Sequence, residues 1–413
     1  MNAGMKEDRR DGFDPDALRR QFAILNREVA WLDNAATTQR PESVLRAMDE
    51  FYRQHNANPR RSVHRLGTEA TAVYEQARAA TARFVGGAAP EEIVFTSGTT
   101  ASINLVAAGL ARGEIGPGDH VWVSAAEHHS NWVPWQKAVH AVGARLQVIP
   151  LQPDGRLDLE AFEQGLSGGQ TKWVAVAWVS NVLGAVNDVR AICDLAHAAR
   201  ARVLVDGAQG VAHLPVDVAA LGCDFFAFSA HKMFGPMGTG VLWGRSSLLQ
   251  RMEPLFYGGE MIARVEEQTA TWADVPYRFE GGTPNVAGVV GLAAAIDWQQ
   301  ALPAAAHAHV AELARQAADG LAALPGVAVL GPTTGAPRPS LVSFTVQGVP
   351  AHDVAQVLDE RGIAVRAGHM CAQPLLRRLG IESAVRASFA PYNSADEVRR
   401  LLAGVQAARK IFT

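Results

Sequence analysis

The chain has 413 residues, 48% of them hydrophobic and 19% charged, with a formal net charge of -3. Such a length is enough for about two to three domains with an ample core, and the near-neutral balance gives no reason to invoke nucleic acid or an anionic membrane as partner. The charged start, Met1 to Arg20, lacks an apolar signal core, and no apolar run is long enough to span a bilayer. Three cysteines, Cys193, Cys223 and Cys371, form an odd, sparse set without metal-ligand spacing. That usage points to a reducing, cytoplasmic setting and leaves room for one reactive thiol.

In chain order, a short helix is expected around Asp16–Leu25, then a strand end and small-residue loop from Trp31 to Thr38. Pro41 opens a helix through about His55, with Glu42 in the first turn where the helix dipole favours it. Arg60, Arg61, His64 and Arg65 make a basic loop, which is more often solvated than anion-binding, before a helix to about Val85.

From there the pattern alternates. Short β-rich runs fall at Ile93–Phe95, His120–Val123, Arg145–Ile149, Trp173–Val179, Arg202–Val205, Asp224–Phe228 and Val241–Trp243, with helical patterns between most of them, at Thr99–Ala111, Asn131–Val142, Leu159–Leu166 and Val189–Ala201. Alternation of this kind means βαβ units and a mostly parallel sheet covered on both faces, an α/β fold. The last run follows only a Gly-rich turn, too short for a helical crossover, and is expected to run antiparallel. After about residue 290 the texture changes to Ala-rich helices, a Gly/Pro/Thr loop at Gly331–Pro339, strands at Leu341–Val346, Ile363–Arg366 and Val385–Phe389, and helices at His352–Glu360 and Ser394–Ile411. This reads as a smaller α+β domain. The expected division is 29–290 for the large domain, with 1–28 and 291–413 forming the small one.

Ligands of open α/β sheets bind beyond the carboxyl ends of the strands. The residues just after each run are Ser97-Gly98-Thr99-Thr100, Glu127-His128-His129, Asn181, Asp206 with Gln209, and Ser229 with His231 and Lys232. Any one of them is an ordinary cap or turn residue; Thr99 and Thr100 sit where N-caps belong, and Asp206 precedes Gly207 as turns prefer. Together on one rim they make a site. A lysine closing a buried strand is costly as an unpaired ammonium, but not as an amine bonded to a carbonyl compound. An aldehyde cofactor carrying a phosphate needs an amine (Lys232), an anion cradle at a helix start (Thr99, Thr100, with Ser229 and His231), a partner for a ring nitrogen (Asp206) and a flat stacking surface (His128). Gln209 can donate to a phenolic oxygen.

Those four motifs, in this order, resemble the class V, fold type I, pyridoxal 5'-phosphate enzymes. Within them the chain is similar to the group II cysteine desulfurases and selenocysteine lyase-like proteins, from about Trp31 to the last helix. The resemblance implies a large domain with a seven-stranded, mostly parallel sheet and a smaller α+β domain. It assigns Lys232 to the covalent cofactor link and proton transfer, Asp206 to the pyridine nitrogen, His128 to ring stacking and Gln209 to O3'. Thr99, Thr100, Ser229 and His231 would hold the phosphate. Gly282-Thr283-Pro284-Asn285 resembles the segment that reaches the partner subunit's phosphate, implying a homodimer in which Thr283 acts in trans.

Arg366-Ala367-Gly368-His369-Met370-Cys371-Ala372-Gln373-Pro374 is the decisive stretch. Most lone cysteines are small buried hydrophobes, as Cys193 and Cys223 are expected to be. Cys371 follows a strand in a Gly-containing loop with Arg366 and His369 close by, an electropositive setting that populates a thiolate. The stretch resembles the desulfurase loop that carries the persulfide-forming cysteine. The implied reaction takes L-cysteine to L-alanine, with sulfur held on Cys371 and passed to a small acceptor protein, and iron–sulfur assembly as the expected use. Arg386 would clamp the substrate carboxylate with two parallel hydrogen bonds, with Asn181 and Arg366 also on the substrate. Where that family commonly carries His-His-Cys, this chain has Met370 in the middle. Two other readings are a selenocysteine lyase or another lyase or epimerase using the same cofactor, and a non-catalytic cofactor-binding scaffold, which has no need of Lys232, Asp206 and Cys371 together.

Overall fold

The computed structural model describes residues 13–60, 62–332 and 338–412. Arg61 of the basic loop and residues 333–337 of the expected Gly/Pro/Thr loop lie outside them.

Seven strands build the large sheet: β1 (Ile93–Thr96), β2 (His120–Ser124), β3 (Arg145–Ile149), β4 (Thr171–Ala177), β5 (Arg202–Asp206), β6 (Phe225–Ser229) and β7 (Gly240–Gly244). Their order is β1-β7-β6-β5-β4-β2-β3. β7 runs antiparallel to both β1 and β6, while β2 to β6 are mutually parallel. The expected strand over Trp173–Val179 begins and ends two residues earlier; Val179 instead makes an isolated bridge to Val186.

The two-residue period of a strand explains why these runs read as almost continuously apolar. Phe226 and Phe228 point into one core cluster, Phe225 and Ala227 into another on the opposite face, and Val203 and Val205 are divided from Leu204 in the same way. Helices cover both faces. Asp158 and Asp188 cap two of them, accepting from Ala161 N and Ala191 N at 3.0 Å each, the contact that satisfies a free N–H of a first turn.

A second sheet joins β8 (Val327–Leu330), β9 (Leu341–Val346), β10 (Arg366–Gly368) and β11 (Ala384–Ser388) in the order β8-β9-β11-β10. All its pairings are antiparallel. Helices Ala304–Ala322, Ala351–Asp359 and Ala395–Phe412 pack on it through Leu313, Leu358 and Leu401. The expected strand Ile363–Arg366 is divided: Ile363 and Ala364 pair in parallel with Ala30 and Trp31, whereas Arg366 opens β10. The expected N-terminal helix is also shorter, Pro15–Arg19 followed by a 3-10 turn at Ala23–Asn26. Phe22, just before that turn, packs among Phe234, Trp298 and Tyr392, with Arg19 paired to Glu397 at 3.0 Å. A small apolar cluster containing Ala126, Val182, Leu183, Met370, Leu375 and Leu376 lies under the cysteine loop. No helix among the described residues is long and apolar enough to cross a membrane.

Candidate active site

One cavity of about 320 Å³ lies at the carboxyl ends of β4, β5 and β6. It is lined by Thr99, Thr100, His128, Asn181, Asp206, Gln209, Ser229, His231, Lys232, Arg366, Cys371 and Arg386. All but one of the site residues singled out in the sequence are therefore brought together. Thr283 is the exception: it lines a neighbouring cavity with Phe95, Phe256 and Glu280.

Two close backbone approaches shape the rim. A Cβ on Gly240 would sit 2.3 Å from Gly98 Cα, so the start of β7 lies directly against the residue preceding the Thr99–Val106 helix. Gly207 lies so close to the Phe226 ring that a Cβ would be 2.1 Å from it; glycine at that position lets the chain turn tightly after Asp206. At the helix start Ser229 Oγ accepts from Thr99 N at 2.8 Å and bonds Thr99 Oγ1 at 2.7 Å, and Thr100 Oγ1 meets Ser130 Oγ at 2.6 Å. The hydroxyls and the first turn's N–H groups form a donor-rich end suited to an anion.

Asp206 and Lys232 are electrostatically coupled. Burial lowers the lysine's pKa, opposed by Asp206, and burial raises that of Asp206, opposed by Lys232. The Asp206 carboxylate accepts from Ala208 N at 2.9 Å, and Gln209 donates to Ala35 O at 2.8 Å. The turn bearing Lys232 is clamped from the N-terminal loop: Thr38 N donates to His231 O at 3.0 Å, and Thr38 Oγ1 accepts from Phe234 N at 2.8 Å.

His128 Nδ1 accepts from Ser130 N at 3.0 Å, which leaves the ring proton of the neutral imidazole on Nε2. Burial, with Lys232 and His129 adding to it, holds its pKa down to about 3. The ring is a neutral, flat surface at ordinary pH. Its neighbour Glu127 is buried and accepts from Ser124 Oγ, from Ala177 N at 2.8 Å and from Asn131 Nδ2 at 2.7 Å. This brace between β2 and the end of β4 was not singled out in the sequence, where Glu127 stands only as a polar residue beside His128.

Cys371 is exposed, whereas Cys193 and Cys223 are buried. Its loop joins β10 to the helix Gln373–Arg378, and Met370 and Cys371 both have left-handed backbones, with φ of 47° and 55°. Two consecutive non-glycine residues there are strained and persist because their surroundings hold them. The holds are visible: Asn181 Nδ2 donates to Met370 O at 2.8 Å, His129 N to Cys371 O at 2.6 Å, and Cys371 N to His369 Nδ1 at 3.1 Å. Arg386 is buried, donates to Asn181 O at 2.9 Å and lies 3.4 Å from Asp33. Burial lowers its pKa to about 10, so it remains cationic at neutral pH. Asp33 also pairs with Arg366 at 2.6 Å; its role has no local sequence signal, because both arginines are more than 300 residues away.

The chain matches the family Aminotransferase class-V over residues 30–401. It is 47% identical over 401 residues to a probable cysteine desulfurase of Halalkalibacterium halodurans, covering 96% of this chain and 98% of that protein. A cysteine desulfurase of Klebsiella pneumoniae is 47% identical over 406 residues, covering 97% and 99%. Among solved structures, the cysteine desulfurase CsdA from Escherichia coli superposes with a TM-score of 0.90 at 40% identity, covering 97% of this chain and 100% of that one. An apo cysteine desulfurase from Thermococcus onnurineus gives 0.91 at 39%, covering 96% and 98%. The architecture is that of the fold type I pyridoxal-phosphate enzymes, and the chain belongs to the class-V aminotransferase family, in its cysteine desulfurase branch.

Proposed function

We infer that this chain is a pyridoxal 5'-phosphate-dependent cysteine desulfurase that converts L-cysteine to L-alanine and collects the sulfur on Cys371. The observation that carries this reading is the shared cavity of Lys232 and Cys371, an amine and an exposed thiol from distant parts of the sequence. The donor set fits the cofactor: a desolvated amine, a buried carboxylate, a neutral flat ring and a hydroxyl-rich helix start occupy one concave site. Lys232 would hold the cofactor covalently, Asp206 its ring nitrogen, His128 its face and Gln209 its phenolic oxygen, with Thr99, Thr100, Ser229 and His231 around its phosphate. When bound, that group supplies an electron-withdrawing ring conjugated to the substrate's α-carbon.

Arg386, with Asn181 beside it, binds the substrate carboxylate and so aims the thiol of L-cysteine toward the Cys371 loop. Lys232, whose lowered pKa favours the free amine, moves the proton at the α-carbon. The Cys371 thiolate attacks the substrate sulfur; the sulfur–sulfur bond forms as the carbon–sulfur bond breaks, and the carbon takes a proton to give alanine. Exposure of Cys371 then lets a small acceptor protein remove the sulfur by a second thiol attack. Thr283, in its separate cavity beside the exposed Phe256, is assigned to a partner subunit's phosphate across a homodimer interface. A cytoplasmic location fits the free, reduced cysteines.

The test is equimolar formation of alanine and sulfide from L-cysteine with reductant present. In Cys371→Ala the bound cofactor's visible absorption is retained and sulfide release is lost. A variant that keeps cleaving L-cysteine at the wild-type rate contradicts the assignment. One that loses cysteine cleavage but still cleaves selenocysteine fixes which step the thiol serves.

A further inference from the structure

Arg366 and Arg386 stand directly opposite one another on the antiparallel strands β10 and β11. Like charges in that position repel, and both side chains reach the same cavity. The anion between them is Asp33. It is brought there by the chain following the short strand Ala30–Trp31, where Ser388 N donates to Leu32 O at 2.7 Å and Asp33 bridges to Ser388. Asp33 is 7% exposed and is not among the residues lining the cavity.

Its carboxylate is shared unequally. Arg366 is held through two contacts, NH2 to Oδ2 at 2.6 Å and Nε to Oδ1 at 3.4 Å, while Arg386 reaches it only through NH2 at 3.4 Å. Arg386 also keeps a buried Nε without a partner. Asp33 therefore occupies the Nε–NH2 edge of Arg366, whereas Arg386, which donates through NH1 to Asn181 O, keeps an unpartnered Nε on the corresponding edge.

We propose that Asp33 is a specificity-determining residue: by claiming Arg366 it leaves Arg386 as the single guanidinium for a carboxylate, and so selects amino acids with one carboxylate over dicarboxylic ones. The triad of Asp33, Arg366 and Arg386 carries one net positive charge, matched to one α-carboxylate. Without Asp33 a second guanidinium opens at the cavity wall and can receive a side-chain carboxylate in two parallel hydrogen bonds. This inference rests on the reading of the cavity as an amino-acid site.

The experiment measures equilibrium dissociation constants of L-alanine and L-aspartate for the cofactor-loaded protein by calorimetry, in wild type, Asp33→Asn and the double variant Asp33→Asn/Arg366→Met. In Asp33→Asn the affinity for L-aspartate relative to L-alanine rises by roughly tenfold, the size of one added charge-assisted hydrogen bond. In the double variant that gain disappears, because Arg366 supplies it. An unchanged ratio in Asp33→Asn, or a gain that survives loss of Arg366, overturns the proposal. If the wild type binds neither ligand, the amino-acid reading itself fails and this inference with it. If Asp33→Asn does not fold, Arg366→Met alone decides: Asp33, released, turns to Arg386 and competes with the ligand, weakening L-alanine several-fold. Unchanged L-alanine affinity in that variant overturns the assignment.

Discussion

His129 N donates to Cys371 O at 2.6 Å, so the loop that presents the thiol is fastened to the segment that presents His128. A second tie runs the other way, from Gln373 N to His129 Nε2 at 3.1 Å. His129 thus sets the distance between the stacking ring and the sulfur through one backbone and one side-chain contact.

Replacing His129 with alanine removes the acceptor for Gln373 N–H and keeps the backbone contact. A hydrogen bond of this kind contributes about 1 kcal/mol. Amide exchange at residue 373 should accelerate roughly fivefold by that figure, with slower sulfur capture and unaltered cofactor binding. Exchange mass spectrometry over the loop reads it; wild-type protection in His129→Ala would show that the imidazole contact holds nothing.

Met370 stands between His369 and Cys371, and its side chain is buried beside Val182, Leu183 and Leu375. An imidazole there lacks a partner, and burying an unpaired polar group costs about 1–3 kcal/mol. Met370→His should lower the melting temperature, whereas Met370→Leu, which conserves volume and polarity, should leave it nearly unchanged. Thermal melts of the two variants side by side settle the comparison: equal melting points would mean that the apolar cluster does not anchor the loop.

Much of this is legible in the amino-acid sequence. The large sheet could be read because its strands are buried on both faces, so Val203–Val205 and Phe225–Phe228 stand out as apolar runs closed by polar residues at one rim. The antiparallel β7 followed from the shortness of its connection. Less visible were features set by partners distant in sequence. The division at Ile363–Arg366 arises because Ile363 pairs with Ala30 while Arg366 pairs with Arg386, and no local pattern announces that change of partner. Asp33 looked like an ordinary loop residue, and Glu127 lay beside the more conspicuous His128. Both act through contacts made only when the chain is folded.

Glu127 braces the turn that carries His128. Its three donors, Ser124 Oγ, Ala177 N and Asn131 Nδ2, are buried, and Asn131 in turn accepts from Trp135 Nε1 at 3.0 Å. Glu127→Leu leaves those donors unpaired and should cost about 3 kcal/mol. Urea unfolding measures the loss; a change below about 1 kcal/mol would mean the brace relaxes onto water.

Protonation offers an independent check on the buried imidazoles. In the cofactor-free protein, burial and then Lys232 hold His128 down to about 3 and His231 to about 4, against an ordinary value of 6.5. Between pH 6.5 and 4 the unfolded chain therefore binds protons that the folded chain does not, so stability is present above pH 6.5 and is lost as pH falls through that window. His128→Gln should flatten the slope there by about 1 kcal/mol per pH unit. Denaturant midpoints from pH 7 to 4 test this; an identical slope would place the imidazole in solvent.

The central claim is that sulfur released from L-cysteine is collected by the thiol at Cys371. The most direct measurement incubates the cofactor-loaded protein with L-cysteine without reductant, traps thiols by alkylation and maps the added sulfur by peptide mass spectrometry. The expected result is one extra sulfur atom on the peptide containing Cys371, absent from Cys371→Ser and from the peptides containing Cys193 and Cys223. Alanine formed at the wild-type rate with no sulfur on Cys371 would contradict the account.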